Sequence, residues 1–168
     1  IKITTIPYEF KGFMGMRNFI IQDSEGRKLA WANSNWTHLD ISTGLPARLT
    51  PADTDNYVLG EKMEMDYAPR KIKLPEDMIA QEAFTVQKHH LDTNHHVNNC
   101  QYVCMAEDFL PESFKIYQMR AEYKMQAKLG DVICPKVKTE TDKVVVSLDN
   151  IEGKAYAIVE FLKKEGDI

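Results

Sequence analysis

Residues 91–99 read Leu-Asp-Thr-Asn-His-His-Val-Asn-Asn. They bring a carboxylate (Asp92), a carboxamide (Asn94) and an imidazole (His96) to alternate positions just ahead of an amphipathic stretch. In an extended segment alternate residues share one side. The start of a helix adds free backbone N–H groups at its positive end. Such a set can activate water and hold a carbonyl oxygen as it gains charge. Apolar spacing predicts the helix over 97–109, stopped by Leu110-Pro111. The N–H groups of Val97 and Asn98 are then the candidate oxyanion donors, while the side chains of Asn98 and Asn99 suit capping.

Four of the five histidines, His89, His90, His95 and His96, fall within eight residues. Adjacent pairs diverge, and no cysteine or carboxylate completes a usual zinc spacing. We therefore expect no metal, and nothing else in the chain points to a cofactor. Cys100, Cys104 and Cys134 are too few for a disulfide framework and fit a reducing, cytoplasmic setting.

The 168 residues are 43% hydrophobic and 27% charged, with a net charge of −4. That balance argues against nucleic acid as the main partner. No apolar run approaches the roughly 18 residues of a membrane span. Strands are expected over 1–8, 13–22 and 27–41, the last carrying Trp31 and Trp36. Pro46, Pro51, Pro69 and Pro75 mark 46–80 as a connection with one short helix. Strands near 82–89, 114–127, 132–141, 143–149 and 154–163 surround the predicted helix. The reading is α+β: an antiparallel sheet curved around one helix. Its units are a partial N-terminal one over 1–50, a linker over 51–80 and a C-terminal catalytic one over 81–168.

The chain also echoes itself. Asp23–Ala32 reads D-S-E-G-R-K-L-A-W-A, and Asp149–Ala157 reads D-N-I-E-G-K-A-Y-A. Gly26 and Gly153 lie 127 residues apart. If the halves are repeats, the counterpart of the helix falls ahead of Ile1. The expectation is a first unit without its opening strand and central helix.

The stretch from Leu91 to Asn99, followed by Tyr102, resembles the D-x-N-x-H-V-N-N-x-x-Y signature of acyl-acyl-carrier-protein (acyl-ACP) thioesterases of the bacterial type. Met16-Arg17-Asn18-Phe19, Asp23 to Gly26, Trp36, Ala121-Glu122-Tyr123-Lys124 and Gly130-Asp131 are similar to other parts of that family. The resemblance implies a tandem double hotdog, its first unit incomplete here, that hydrolyses the fatty acyl thioester of acyl carrier protein. It implies Asp92, Asn94 and His96 as the catalytic set in the second hotdog. The further acidic position falls on Gln126, which cannot titrate but can orient a water. Some members have cysteine at the next position, here Ala127. The first hotdog shapes the acyl pocket, with Met16, Trp31 and Trp36 as candidate lining and Arg17 facing carrier or phosphopantetheine. Hotdog sheets commonly pair, so a homodimer is expected.

For a thioester, the favoured reading is water attack with Asp92 as base, assisted by His96 and with Asn94 holding water or carbonyl. Direct attack by Asp92 to give an anhydride stays open. An acyl-CoA thioesterase, or a non-catalytic acyl- or carrier-binding protein, are the rival functions.

Overall fold

The computed structural model describes residues 1–164. The chain divides between Ala68 and Pro69 into two compact units. In the first, β1 (Lys2–Lys11), β2 (Met14–Gln22) and β3 (Lys28–Thr37) form an antiparallel sheet in that order. Their β-branched and aromatic residues favour the pleated backbone. The strand expected over 27–41 stops at Thr37, because Leu39 turns back to bridge with Pro46. A one-turn helix, α1 (Pro51–Thr54), follows, with Asp53 accepting the N–H and the hydroxyl of Thr50 (2.8 and 2.7 Å).

The centre of β2 is a buried polar residue, Asn18. Its side-chain oxygen accepts the N–H of Met63 (3.0 Å) and the hydroxyl of Tyr67 (3.2 Å). A buried amide left unpaired costs about 1–3 kcal/mol, so these bonds pin the 63–67 segment to the sheet. Every hydrophobic residue buried among the described residues belongs to the second unit instead. The stretch 51–80, expected as a linker, is shared between the two units at Ala68/Pro69.

The second unit contains β4 (Ile79–Ala80), β5 (Phe84–Thr85), α2 (Asn99–Glu107), β6 (Ile116–Tyr123), β7 (Val132–Thr139), β8 (Lys143–Asp149) and β9 (Ala155–Lys163). The sheet runs β4-β7-β8-β9-β6, with β5 also on β7. Helix α2 packs across β8 and β9. Val144, Val146 and Leu148 face it and join Tyr102, Met105 and Ala106 in the core. Val145, between them, points the other way and packs with Ile72 and Ile158. Residues Val144 to Asp149 of β8 are buried on both faces, so its core reads as the unbroken run Val144 to Val146 rather than as an alternation. On the outer face Glu122 accepts the N–H of Ile72 (3.0 Å), and Arg120 pairs with Glu160 at 2.7 Å.

Three elements of the second unit depart most from expectation, each for a reason visible in its hydrogen bonds. The strand expected over 82–89 is cut to β5, because residues 88–90 close into a 3-10 turn. The helix begins at Asn99, since Val97 and Asn98 remain extended and bonded elsewhere. The strand expected over 114–127 ends at Tyr123. The N–H groups of Lys124 and Met125 both converge on the carbonyl of Tyr156 (2.8 and 3.2 Å), and the chain then leaves the sheet.

The sequence echo has a structural counterpart. Asp23 Oδ1 accepts the N–H groups of Glu25 and Arg27, both at 2.9 Å. Asn150 Oδ1 accepts those of Glu152 (3.0 Å) and Lys154 (2.9 Å). Gly26 and Gly153 take the same left-handed conformation, φ 81° and 76°. The 127-residue offset lays β1, β2 and β3 over β7, β8 and β9.

Candidate active site

The signature forms a tight loop, not the extended segment expected. Leu91 bridges to Val97, and the N–H of Asp92 donates to the carbonyl of His96 at 2.8 Å. Inside the loop Asp92 Oδ1 accepts the N–H of Asn94 (2.8 Å) and of His96 (3.2 Å). So Asp92, Asn94 and His96 come together through the carboxylate, which gathers the backbone of the other two. His95 takes φ 60° to close the reversal, the one non-glycine residue with positive φ among the described residues. That conformation costs an L-residue roughly 1–2 kcal/mol, held here by the surrounding bonds.

The N–H groups expected as oxyanion donors are already engaged. Val97 donates to the carbonyl of Ala127, and Asn98 to that of His90, both at 2.9 Å. The Asn98 side chain caps the helix by accepting the N–H of Cys100 at 2.9 Å. The sequence could not show this, because both acceptors lie outside the motif. The N–H of Asn99, first residue of α2, has no intrahelical acceptor. It is the donor the helix start leaves over.

Gln126 lies just after β6, beside this loop. His96 bridges to Lys128, and the buried Val97 meets the buried Ala127. Pairing sends these two side chains inward, so His96, Lys128 and Gln126 share the outward side. Ala127 is held from the helix as well, its N–H donating to the Tyr102 hydroxyl at 2.8 Å. Lys128 N–H is fixed by Asp131 at 2.8 Å. Tyr102 and Ala127 are contacts behind this loop that the sequence alone does not assign. The tyrosine in the motif was the available signal.

Burial pushes the Asp92 carboxyl upward, but it is outweighed. The N–H groups of His96 and Asn94, the Asn94 amide and the His96 ring together hold its pKa below the usual carboxylate value. Asp92 is therefore anionic at neutral pH. Tyr102 stays a neutral hydroxyl, since burial pushes its pKa up.

In the first unit, a cavity of about 290 Å³ is lined by Trp36 with Phe10, His38, Leu49 and Tyr57 among others. Met16, Arg17 and Trp31 do not line it. Arg17 donates to Thr5 Oγ1 (3.1 Å) and lies 5.8 Å from the Tyr57 ring centroid. Trp31 and Trp36 are 52% and 58% exposed, which makes neither a core residue. In the second unit, the cavity of about 450 Å³ opens on the sheet face away from α2, over Ser147 and Asp149. Among the described residues no three of His, Cys, Asp and Glu are grouped to hold a metal ion.

Residues 72–161 match the family model for the acyl-ACP thioesterase C-terminal domain, more than half of the chain. The chain belongs to the acyl-ACP thioesterase family. It is a thioester hydrolase, and its α+β fold is a hotdog, the second unit's sheet wrapped around α2. An acyl-ACP thioesterase from Bacteroides thetaiotaomicron is similar in structure: TM-score 0.83, 18% identity, 96% of this chain and 68% of that one. The 12:0-ACP thioesterase from Umbellularia californica superposes at TM-score 0.73 and 17% identity, over 96% of this chain and 65% of that one. The chain thus spans about two thirds of their length, and at these identities the likeness is one of fold. A sequence search of curated proteins gave no match. No helix among the described residues is long and apolar enough to cross a membrane.

Proposed function

We propose that this thioesterase cleaves the fatty acyl thioester of acyl carrier protein, releasing free fatty acid, at the Leu91–Val97 loop. The observation that carries the reading is the Asp92 carboxylate gathering Asn94 and His96 immediately before the helix. Oδ1 is occupied by two N–H groups, which leaves Oδ2 to face a water. In the proposed step water attacks the carbonyl carbon while the Asp92 carboxylate, assisted by His96, takes its proton and passes it to the His96 ring. The C–S bond then breaks, and the leaving sulfur receives a proton from the imidazolium. Asn94 and Gln126 orient the water, and the N–H of Asn99 meets the developing oxyanion.

A second reading has Asp92 attack directly to form an anhydride that water then opens. The lowered pKa of Asp92 favours it, since a carboxylate held ionised makes a weak base but a standing nucleophile. A single turnover in ¹⁸O-water detects direct attack when water opens the anhydride at the Asp92 carbonyl. Label then stays in Asp92 and none enters the first fatty acid released. Label in the fatty acid alone fits water attack or opening at the acyl carbonyl.

The deciding test is hydrolysis of C8 to C18 acyl-ACPs by this chain and its Asp92→Asn variant, beside matched acyl-CoAs. We expect the variant to lose at least 10²-fold in kcat/KM. Unchanged hydrolysis would remove Asp92 from the chemistry, and a higher kcat/KM on CoA would replace the carrier. The same reading places the enzyme in the cytoplasm, within fatty acid biosynthesis, as a homodimer, which sedimentation at equilibrium tests. Met16, Arg17, Trp31 and Trp36 are read as first-unit contacts for acyl chain or carrier.

A further inference from the structure

Both ends of the Asp92 loop are tied to one short turn. The N–H of Leu91 donates to the carbonyl of Lys88 (3.3 Å), and the N–H of Asn98 to that of His90 (2.9 Å). The turn is itself closed by a reciprocal pair. His90 N–H donates to the Gln87 carbonyl (3.1 Å), and Gln87 N–H donates to His90 Nδ1 (3.0 Å). An Nδ1 that accepts a hydrogen bond carries no proton, so the ring's proton is on Nε2.

We propose that His90 is a positioning residue for the catalytic loop: its unprotonated Nδ1 closes the turn that clamps Leu91 and Asn98. This rests on reading the Asp92 loop as the reaction site. Protonating Nδ1 replaces an acceptor with a donor facing the N–H of Gln87, and that bond must break. The clamp is then released at both ends of the loop, and with it the cap of α2.

The titratable group facing the ring is His89, on the same turn, with ring centroids 4.1 Å apart at 65°. From the helix side the turn meets Asn98, which carries no charge. Burial first, and the His89 ring second, keep the pKa of His90 below the ordinary imidazole value. Depression sets the sign. The clamp is intact at neutral pH, and its contribution falls as pH drops from the ordinary imidazole range through the lower pKa of His90.

The test compares His90→Asn with His90→Gln in the full chain. Asparagine places an oxygen near the position of Nδ1, whereas glutamine reaches toward Nε2. We expect His90→Asn to keep kcat/KM within about threefold and to flatten its acid limb, and His90→Gln to lose about tenfold, the scale of one lost hydrogen bond. Alongside, ¹⁵N spectra follow the His90 tautomer while exchange follows the Asn98 amide. Ring protonation and loss of Asn98 protection should share a midpoint in the native chain, with no such step in His90→Asn. Equal behaviour of the two variants, or Asn98 protection indifferent to ring protonation, would overturn the proposal. If Asp92→Asn leaves hydrolysis unchanged, the catalytic reading fails instead, and the Asn98 amide still decides the role of His90.

Discussion

Tyr102 does two jobs with one side chain. Its ring fills the core beneath β8 and β9, while its hydroxyl accepts the buried N–H of Ala127. Removing only the oxygen therefore separates packing from positioning. Tyr102→Phe leaves the N–H of Ala127 unsatisfied, which costs about 1–3 kcal/mol. The urea midpoint should fall with the denaturant slope unchanged. Because Ala127 adjoins Gln126 and accepts the N–H of Val97, the variant should also lower kcat more than it raises KM. Stability equal to wild type would mean that a water takes the place of the hydroxyl. Asp92 follows the same logic: its carboxylate builds the loop and also stands ready to react, so an isosteric amide is the informative replacement.

At the scale of elements, the repeated turn gives a clean stability test. A Cβ added at Gly153 meets nothing within 4 Å, so only the left-handed φ opposes it. Gly153→Ala should cost roughly 1–2 kcal/mol, read as a lower midpoint with native spectra. Asn150→Asp should be neutral to within about 0.5 kcal/mol, since aspartate already serves at the equivalent Asp23. These turns, the strands β7 to β9 and the helix were legible in the sequence because each is encoded by neighbouring residues: Gly after an Asx side chain, unbroken Val runs, apolar spacing. The places where expectation missed are those set by single hydrogen-bond partners, some near and some far along the chain, that apolar spacing does not encode. The Gln87 N–H is captured by a histidine ring and ends a strand. Val97 and Asn98 stay extended because Ala127 and His90 hold them, and β6 ends early because Tyr156 draws two N–H groups to one carbonyl. The chemistry-bearing residue types could be read at once. Which N–H remained available to an oxyanion could not.

Across the whole molecule, burial is unequally divided. The second unit holds every buried hydrophobic residue among those described, whereas the first centres on Asn18 and exposes Ile3, Leu29, Trp31 and Trp36. A three-stranded sheet without an apolar core is marginal alone. Residues 69–168 expressed separately should therefore unfold cooperatively, and residues 1–68 should not, as circular dichroism against urea would record. A cooperative transition in the shorter fragment would contradict this division. The order of strands in the second sheet has a further consequence, one of time. β8 and β9 join through the tight Asn150 turn, so their pairing closes early, whereas β6 must wait for β9, roughly 40 residues further along, before it has anything to pair with. Only after β6 docks can the stretch behind it deliver Ala127 and Lys128 to the Asp92 loop. In pulse-labelled refolding, the amide of Val97 should gain protection later than those of Val146 and Val159. The folding chain would then pass through a stage with most of its sheet assembled and its catalytic loop still unmade.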